Sequence, residues 1–166
     1  MLLFLRAKFL KMSIEVRKAM STDVPAILGL IKELATYERA PGEVITTEES
    51  MKHDGFGDHP IYEAMVAEAD GKIVGVAVFY VGYSTWKGKM VYLDDLIVTE
   101  SMRRKGIGKL LFDAVGKFAK QAGANHYRWH VLDWNTPSIE FYKQYHAVMD
   151  PTWITCKLNR EEIEKF

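Results

Sequence analysis

Apolar and polar residues alternate along "IEVRKA" (residues 14–19), which predicts a strand with one buried face. The period then lengthens. In "STDVPAILGLIKELATYE" (21–38) Ile27, Leu30, Ile31 and Leu34 recur at helical spacing, with Asp23 placed to cap the helix and Pro25 in its first turn. "TTEESMKHDGFG" (46–57) predicts a short acidic helix ended by glycine. "YEAMVAEADGKIVGVAVFYVGYS" (62–84) contains two strands joined at Asp70-Gly71, a dipeptide suited to a tight hairpin turn. "KMVYLDDLIVTE" (89–100) is apolar enough for a central strand. An amphipathic helix follows to about Gln121, with Gly123 as its stop. "HYRWHVLDW" (126–134) predicts a further strand, "TPSIEFYKQYH" (136–146) a helix capped by Asn135 or Thr136, and "TWITCKL" (152–158) a closing strand. Strands that come both in runs and in alternation with helices predict an α/β fold with a mixed sheet flanked by helices.

At 166 residues with no repeat or linker, the chain is expected to form one domain from residue 12 onward, the first eleven residues being an extension. That extension is apolar, but its charges lie inside the run, so neither a signal peptide nor a membrane span is expected. Lys plus Arg and Asp plus Glu both number 22, leaving a formal net charge of zero. A neutral chain has no bulk field to gather nucleic acid or to coat an anionic membrane. The lone Cys156 forms no internal disulfide, which fits a cytoplasmic location. The five histidines show no metal-binding spacing, so no metal is expected.

Any phosphate binding must therefore be local, and one stretch is built for it. In "RRKGIGKLLFDAVGKFA" (103–119) three cations run into Gly-x-Gly and then into a helix. A helix N-terminus offers unpaired N–H groups and the positive end of the helix dipole. Gly106 and Gly108 remove the Cβ atoms that would hold an anion off the backbone, and Arg103, Arg104 and Lys105 add charge beside it. The dinucleotide fingerprint is incomplete, because Leu111 stands where its third glycine would be, and no Walker A motif is present.

An R-x-x-G-x-G directly after a central strand "YLDDLIV" resembles the acetyl-CoA pyrophosphate motif of the GNAT superfamily of N-acetyltransferases. "VLDWNTPSIEFYK" and the early "LIKELATYE" carry the resemblance over nearly the whole chain from Ile14. With "DGFGDHP" and "VFYVGYSTWKGK" they look like the diamine and thialysine acetyltransferase branch. The resemblance implies a GNAT fold, acetyl-CoA as co-substrate and a homodimer. It also implies that a bulge at Leu96, Ile97 and Val98 meets the pantetheine arm, that the pyrophosphate lies over Arg103, Arg104, Lys105, Gly106, Ile107, Gly108 and Lys109, and that the next strand splays away to leave a wedge. Asn135, Thr136, Pro137 and Ser138 would contact the cofactor, although Asn135 also makes a good plain helix cap.

By the same resemblance Tyr142 protonates the departing thiolate, and Tyr37, Glu38 and Asp94 meet the acceptor. Taken alone, Tyr142 beside Phe141 reads as a core aromatic. Acetyl transfer to an amine needs a neutral nitrogen, whereas alkylammonium groups with pKa near ~10 are protonated at neutral pH. Asp94 is the candidate base, directly or through water, because an acid in an apolar strand is costly unless it is paired or used. Strict alternation would put Tyr92, Asp94 and Leu96 on one face and Leu93, Asp95 and Ile97 on the other, so that only one aspartate reaches a given cleft. Trp86 either lines the acceptor channel or simply packs.

Three positions depart from the family pattern: Asp94, where glutamate is usual, and Arg104 and His146, where glycine is frequent. The expected function is acetyl transfer to the primary amine of a small cationic acceptor, a polyamine or a thialysine-like amino acid. The alternatives are a protein or peptide N-acetyltransferase on the same fold and a non-catalytic acyl-CoA-binding module.

Overall fold

The computed structural model describes residues 13–166. The expected extension at residues 1–11 lies outside them. The chain comprises two compact units, the first ending at His130 and the second spanning Val131–Phe166.

The first unit is built on a five-stranded sheet in the order β1 (Ile14–Lys18), β2 (Glu63–Ala69), β3 (Lys72–Ser84), β4 (Gly88–Val98) and β5 (His126–Arg128). The first four strands pair antiparallel and β5 joins β4 in parallel, so the sheet is mixed as expected. The β2–β3 turn places both Asp70 (φ 49°) and Gly71 (φ 77°) in the left-handed region that a two-residue hairpin requires.

The sheet has two covered faces. Helix α1 (Val24–Tyr37) buries Val24, Ile27, Leu28 and Leu30, and with Met51 of α2 (Glu48–Phe56) these residues pack on Val66, Val76, Val78 and Ile97. Helix α3 (Ile107–Gln121) buries Leu111, Phe112 and Val115, and its Phe118 meets Phe79 of β3 edge-on at 4.9 Å between centroids. Cross-strand partners point to the same face, so residues on the α1 face and the α3 face can be read from the register.

Asp23 occupies the N-cap position of α1, but its side chain does not bond the helix as expected. It accepts two hydrogen bonds from Arg17, at 2.7 and 3.1 Å, and one from the Met20 N–H at 2.8 Å. Arg17 also reaches Glu68 on β2 at 3.0 Å. A bidentate guanidinium is a better partner for a buried carboxylate than a helix amide that water can also reach. The Arg17 hydrogen bonds, outweighing the cost of burial, hold the Asp23 carboxyl below its usual range. Its contribution to stability is therefore present above the ordinary carboxylate range and is lost as pH falls through the lowered pKa. Asp23→Ala is expected to cost about 3 kcal/mol at neutral pH in urea unfolding. The difference between variant and parent should shrink on acidification.

In the second unit α4 (Thr136–Lys143) follows Asn135, whose Oδ1 accepts from Ser138 N at 3.4 Å; the unit ends with the short α5 (Arg160–Ile163). The closing strand expected at 152–158 does not form: the segment has no strand assignment, and Trp153, Ile154 and Leu158 are exposed. Period-two hydropathy marks a segment that could pair, but the ladder needs a neighbouring edge. The strand expected over 126–134 is likewise shorter, ending at Arg128.

Candidate active site

The site begins where two ladders on β4 are interrupted within a few residues. On the β3 side Phe79 pairs with Leu93 and Val78 with Asp95, so Asp94 has no cross-strand partner and forms a bulge. On the other side β5 pairs with Met90, Val91 and Tyr92 and then stops. From Leu93 to Val98 that edge of β4 has no strand partner among the described residues. An open strand edge is a row of N–H and C=O groups ready for an extended, amide-containing ligand. The bulge lies at Asp94 and not at Leu96, Ile97 and Val98, which pair regularly with Ala77, Val76 and Gly75.

The bulge also overturns the expected division of faces. Leu93 lies opposite Phe79 on the α3 face, whereas Asp95 lies opposite Val78 on the α1 face with Ile97. The extra residue resets the alternation, so Leu93 no longer shares a side with Asp95. Tyr92 stacks on Tyr80 at 5.2 Å, and the charge of Asp94 bears on both rings and on Asp95. The charge of Asp94 is thus felt by the two tyrosines as well as by its neighbour Asp95.

Their surroundings make them unequal. Asp95 is half-buried, and its pKa is pushed up to about 7, first by burial and then by the charges of Asp94 and Glu38. Asp94 keeps contact with solvent; burial raises its pKa and the charge of His130 opposes the rise. Glu38, at the end of α1, is also raised by burial. Three carboxyl groups so arranged favour a cationic guest, and one of them titrates near neutrality. Sequence reasoning selected Asp94 and Glu38 but passed over Asp95, Tyr80, Tyr92 and His130. The signal for Asp95 was its place beside Asp94; the bulge that makes the pair useful has no signature in the strand's composition.

Tyr37 sits 5.0 Å below the Arg103 guanidinium, whose Nε donates to the Val98 carbonyl at 3.0 Å and whose Nη2 lies 3.7 Å from Glu33. Arg103 thus braces the β4–α3 loop against α1. Arg104 takes φ 61° and His146 φ 56°, the left-handed conformation that a glycine adopts without strain. Gly106 precedes α3 at φ 80°, and no side chain caps the helix. Lys105 reaches Met102, and Lys109 pairs with Asp113 at 2.6 Å.

Gly108 tests the fit of a diphosphate. It is not left-handed, and an added Cβ would meet nothing closer than Val98 Cγ2 at 3.9 Å, so the protein's own packing does not require glycine there. A bare backbone at that position suits a ligand lying on the amides. Gly108→Ala is expected to keep or slightly raise the melting temperature while weakening CoA about tenfold in calorimetric titration, since Ala is the better helix former and its methyl crowds the cradle. An unchanged affinity would remove the backbone from the cradle.

Trp86 is not brought to this site by its own hairpin. It is 83% exposed in the β3–β4 turn. The turn lies roughly 20 Å along β4 from Asp94 at about 3.4 Å per residue. In the second unit Asn135 and Tyr142 are both buried, Asn135 capping α4 and Tyr142 standing in its last turn. Among the described residues no group of acids, histidines and cysteines could hold a metal, and no helix is long and apolar enough to cross a membrane.

The family model described as "Acetyltransferase (GNAT) family" matches residues 28–147. The chain is 40% identical to a thialysine N-epsilon-acetyltransferase of Bos taurus, covering 77% of this chain and 80% of that one. It is 34% identical to a spermidine/spermine N(1)-acetyltransferase-like protein of Homo sapiens, covering 90% of this chain and 23% of that one. An aminoglycoside N-acetyltransferase solved in complex with CoA superposes with a TM-score of 0.70 at 20% identity, covering 90% and 96% of the two chains. The chain belongs to the GNAT acetyltransferase family and is an acetyl-CoA-dependent acetyltransferase.

Proposed function

We propose that the enzyme acetylates a primary amine of a small cationic acceptor, a thialysine-like amino acid or a polyamine. The observation that carries this reading is the carboxyl cluster of Asp94, Asp95 and Glu38 beside the open edge of β4. When bound, acetyl-CoA supplies a thioester carbonyl open to attack by an amine. The amides of the first turn of α3, with Gly106, Ile107, Gly108 and Lys109, hold its diphosphate, flanked by Arg104 and Lys105. The edge of β4 at Leu96, Ile97 and Val98, unpaired among the described residues, orients the pantetheine arm.

The residues then divide the proton work. Asp94 and Glu38, with Tyr37, receive the ammonium group of the acceptor. Asp94 and Asp95 accept its proton as a coupled pair, and a member that titrates near neutrality is well matched to that task. Tyr142 donates its phenolic proton to the sulfur that leaves. Asn135, Thr136, Pro137 and Ser138, at the start of α4, line the cofactor. A homodimer in the cytoplasm is the setting we propose.

Acceptor class is tested by comparing kcat/KM for thialysine, lysine, ornithine, putrescine, spermidine and spermine. Preference for one or more of these over an N-terminal peptide supports the reading. Turnover of the peptide alone would favour a protein acetyltransferase.

A further inference from the structure

We infer that Tyr92 and His130 form a latch across the open end of the β4–β5 ladder, and that His130 is a positioning residue for the aspartate pair. The inference rests on the amine-acetylating reading of the site. Among the described strands, Asp94 is the residue of β4 with least ladder support: β3 skips it at the bulge, and β5 has already left at Tyr92. Just there, a side-chain bond takes over. The Tyr92 hydroxyl hydrogen-bonds His130 Nδ1, and the two rings meet edge-on at 5.7 Å.

The partners are held from both sides. Tyr92 is stacked on Tyr80 of β3. Trp129, the residue before His130, packs on Phe112 and Tyr127, with ring centroids 5.1 and 5.2 Å apart, on the α3 face. Alternation then turns His130 toward the α1 face, where Tyr92 lies. The chain keeps this sidedness for two residues after its ladder has ended. Loss of the bond leaves the bulge free to shift, and small displacements of a reacting group have large kinetic effects. The groups facing the pair are Tyr80 from β3, Asp94 and Asp95 from β4 and Arg128 from β5. The latch itself is exposed, so it does little for the core.

Steady-state kinetics of the full chain should show His130→Ala and Tyr92→Phe each lowering kcat about tenfold, with KM for acetyl-CoA and the melting temperature unchanged. The double variant should be no slower than either single one, because both remove the same bond. His130→Asn, which keeps a hydrogen-bonding group near the Nδ1 position, should recover most of the rate. Wild-type turnover in His130→Ala, or His130→Asn no better than His130→Ala, overturns the inference. If the parent enzyme acetylates no amine, the functional reading falls but the latch is still measurable. Nitrogen NMR of the His130 ring should then shift in Tyr92→Phe, and an unshifted ring overturns the latch by itself.

Discussion

Asp95→Asn should make the protein more stable and nearly inactive. Folding places the Asp95 carboxyl where burial and the charges of Asp94 and Glu38 push its pKa to about 7. The folded state therefore binds a proton more tightly than the unfolded chain, and stability falls as pH rises from the ordinary carboxyl range toward 7. Above 7 the penalty is constant; below the ordinary carboxyl range it vanishes. A neutral amide escapes it. Discounted for partial exposure, the gain is about 2 kcal/mol at pH 8, or roughly 5 °C in melting temperature for a chain of this size. The same change removes a proton acceptor matched to neutral pH, and kcat/KM for the amine should fall about a hundredfold or more. Equal melting temperatures for variant and parent at pH 4 and pH 8 would show that Asp95 is not a strained acid.

Tyr142→Phe should lower kcat about a hundredfold while leaving both KM values within about threefold, the signature of a group that acts on the transition state alone. The ring is buried, and phenylalanine keeps its packing, so the fold should persist. An acetyl thioester of CoA's pantetheine replaced by one with a more acidic thiol should close much of the gap, because a better leaving sulfur needs less help from an acid. Full activity in Tyr142→Phe would transfer the acid role elsewhere.

The sequence carried the architecture well where hydropathy and turn chemistry agree. The hairpin at Asp70 and Gly71, the helix opened by Gly106 and the Asn135 cap all stand where residue type requires them. It misled where a partner decides the outcome. Asp23 looks like a cap, but Arg17, six residues earlier in the chain, claims its carboxylate. The run at 152–158 has a strand's alternation without a ladder. At the site, the acids were visible as residue types, but their grouping was not. A single unpaired residue at Asp94 reverses the sidedness of everything after it, and nothing in "YLDDLIV" announces that insertion. His130 was invisible for the same reason, since its role depends on where β5 leaves β4.

The central claim is acetyl transfer from acetyl-CoA to a small amine at the carboxyl cluster. Its most direct measurement is thiol release from acetyl-CoA by the full chain with and without thialysine, spermidine and ornithine, with mass spectrometry of the amine. The account predicts release that depends on at least one of these amines, a stoichiometric acetylated product, and loss of both in Asp95→Asn. Release no faster with any amine than with water, or undiminished acetylation in that variant, would contradict it.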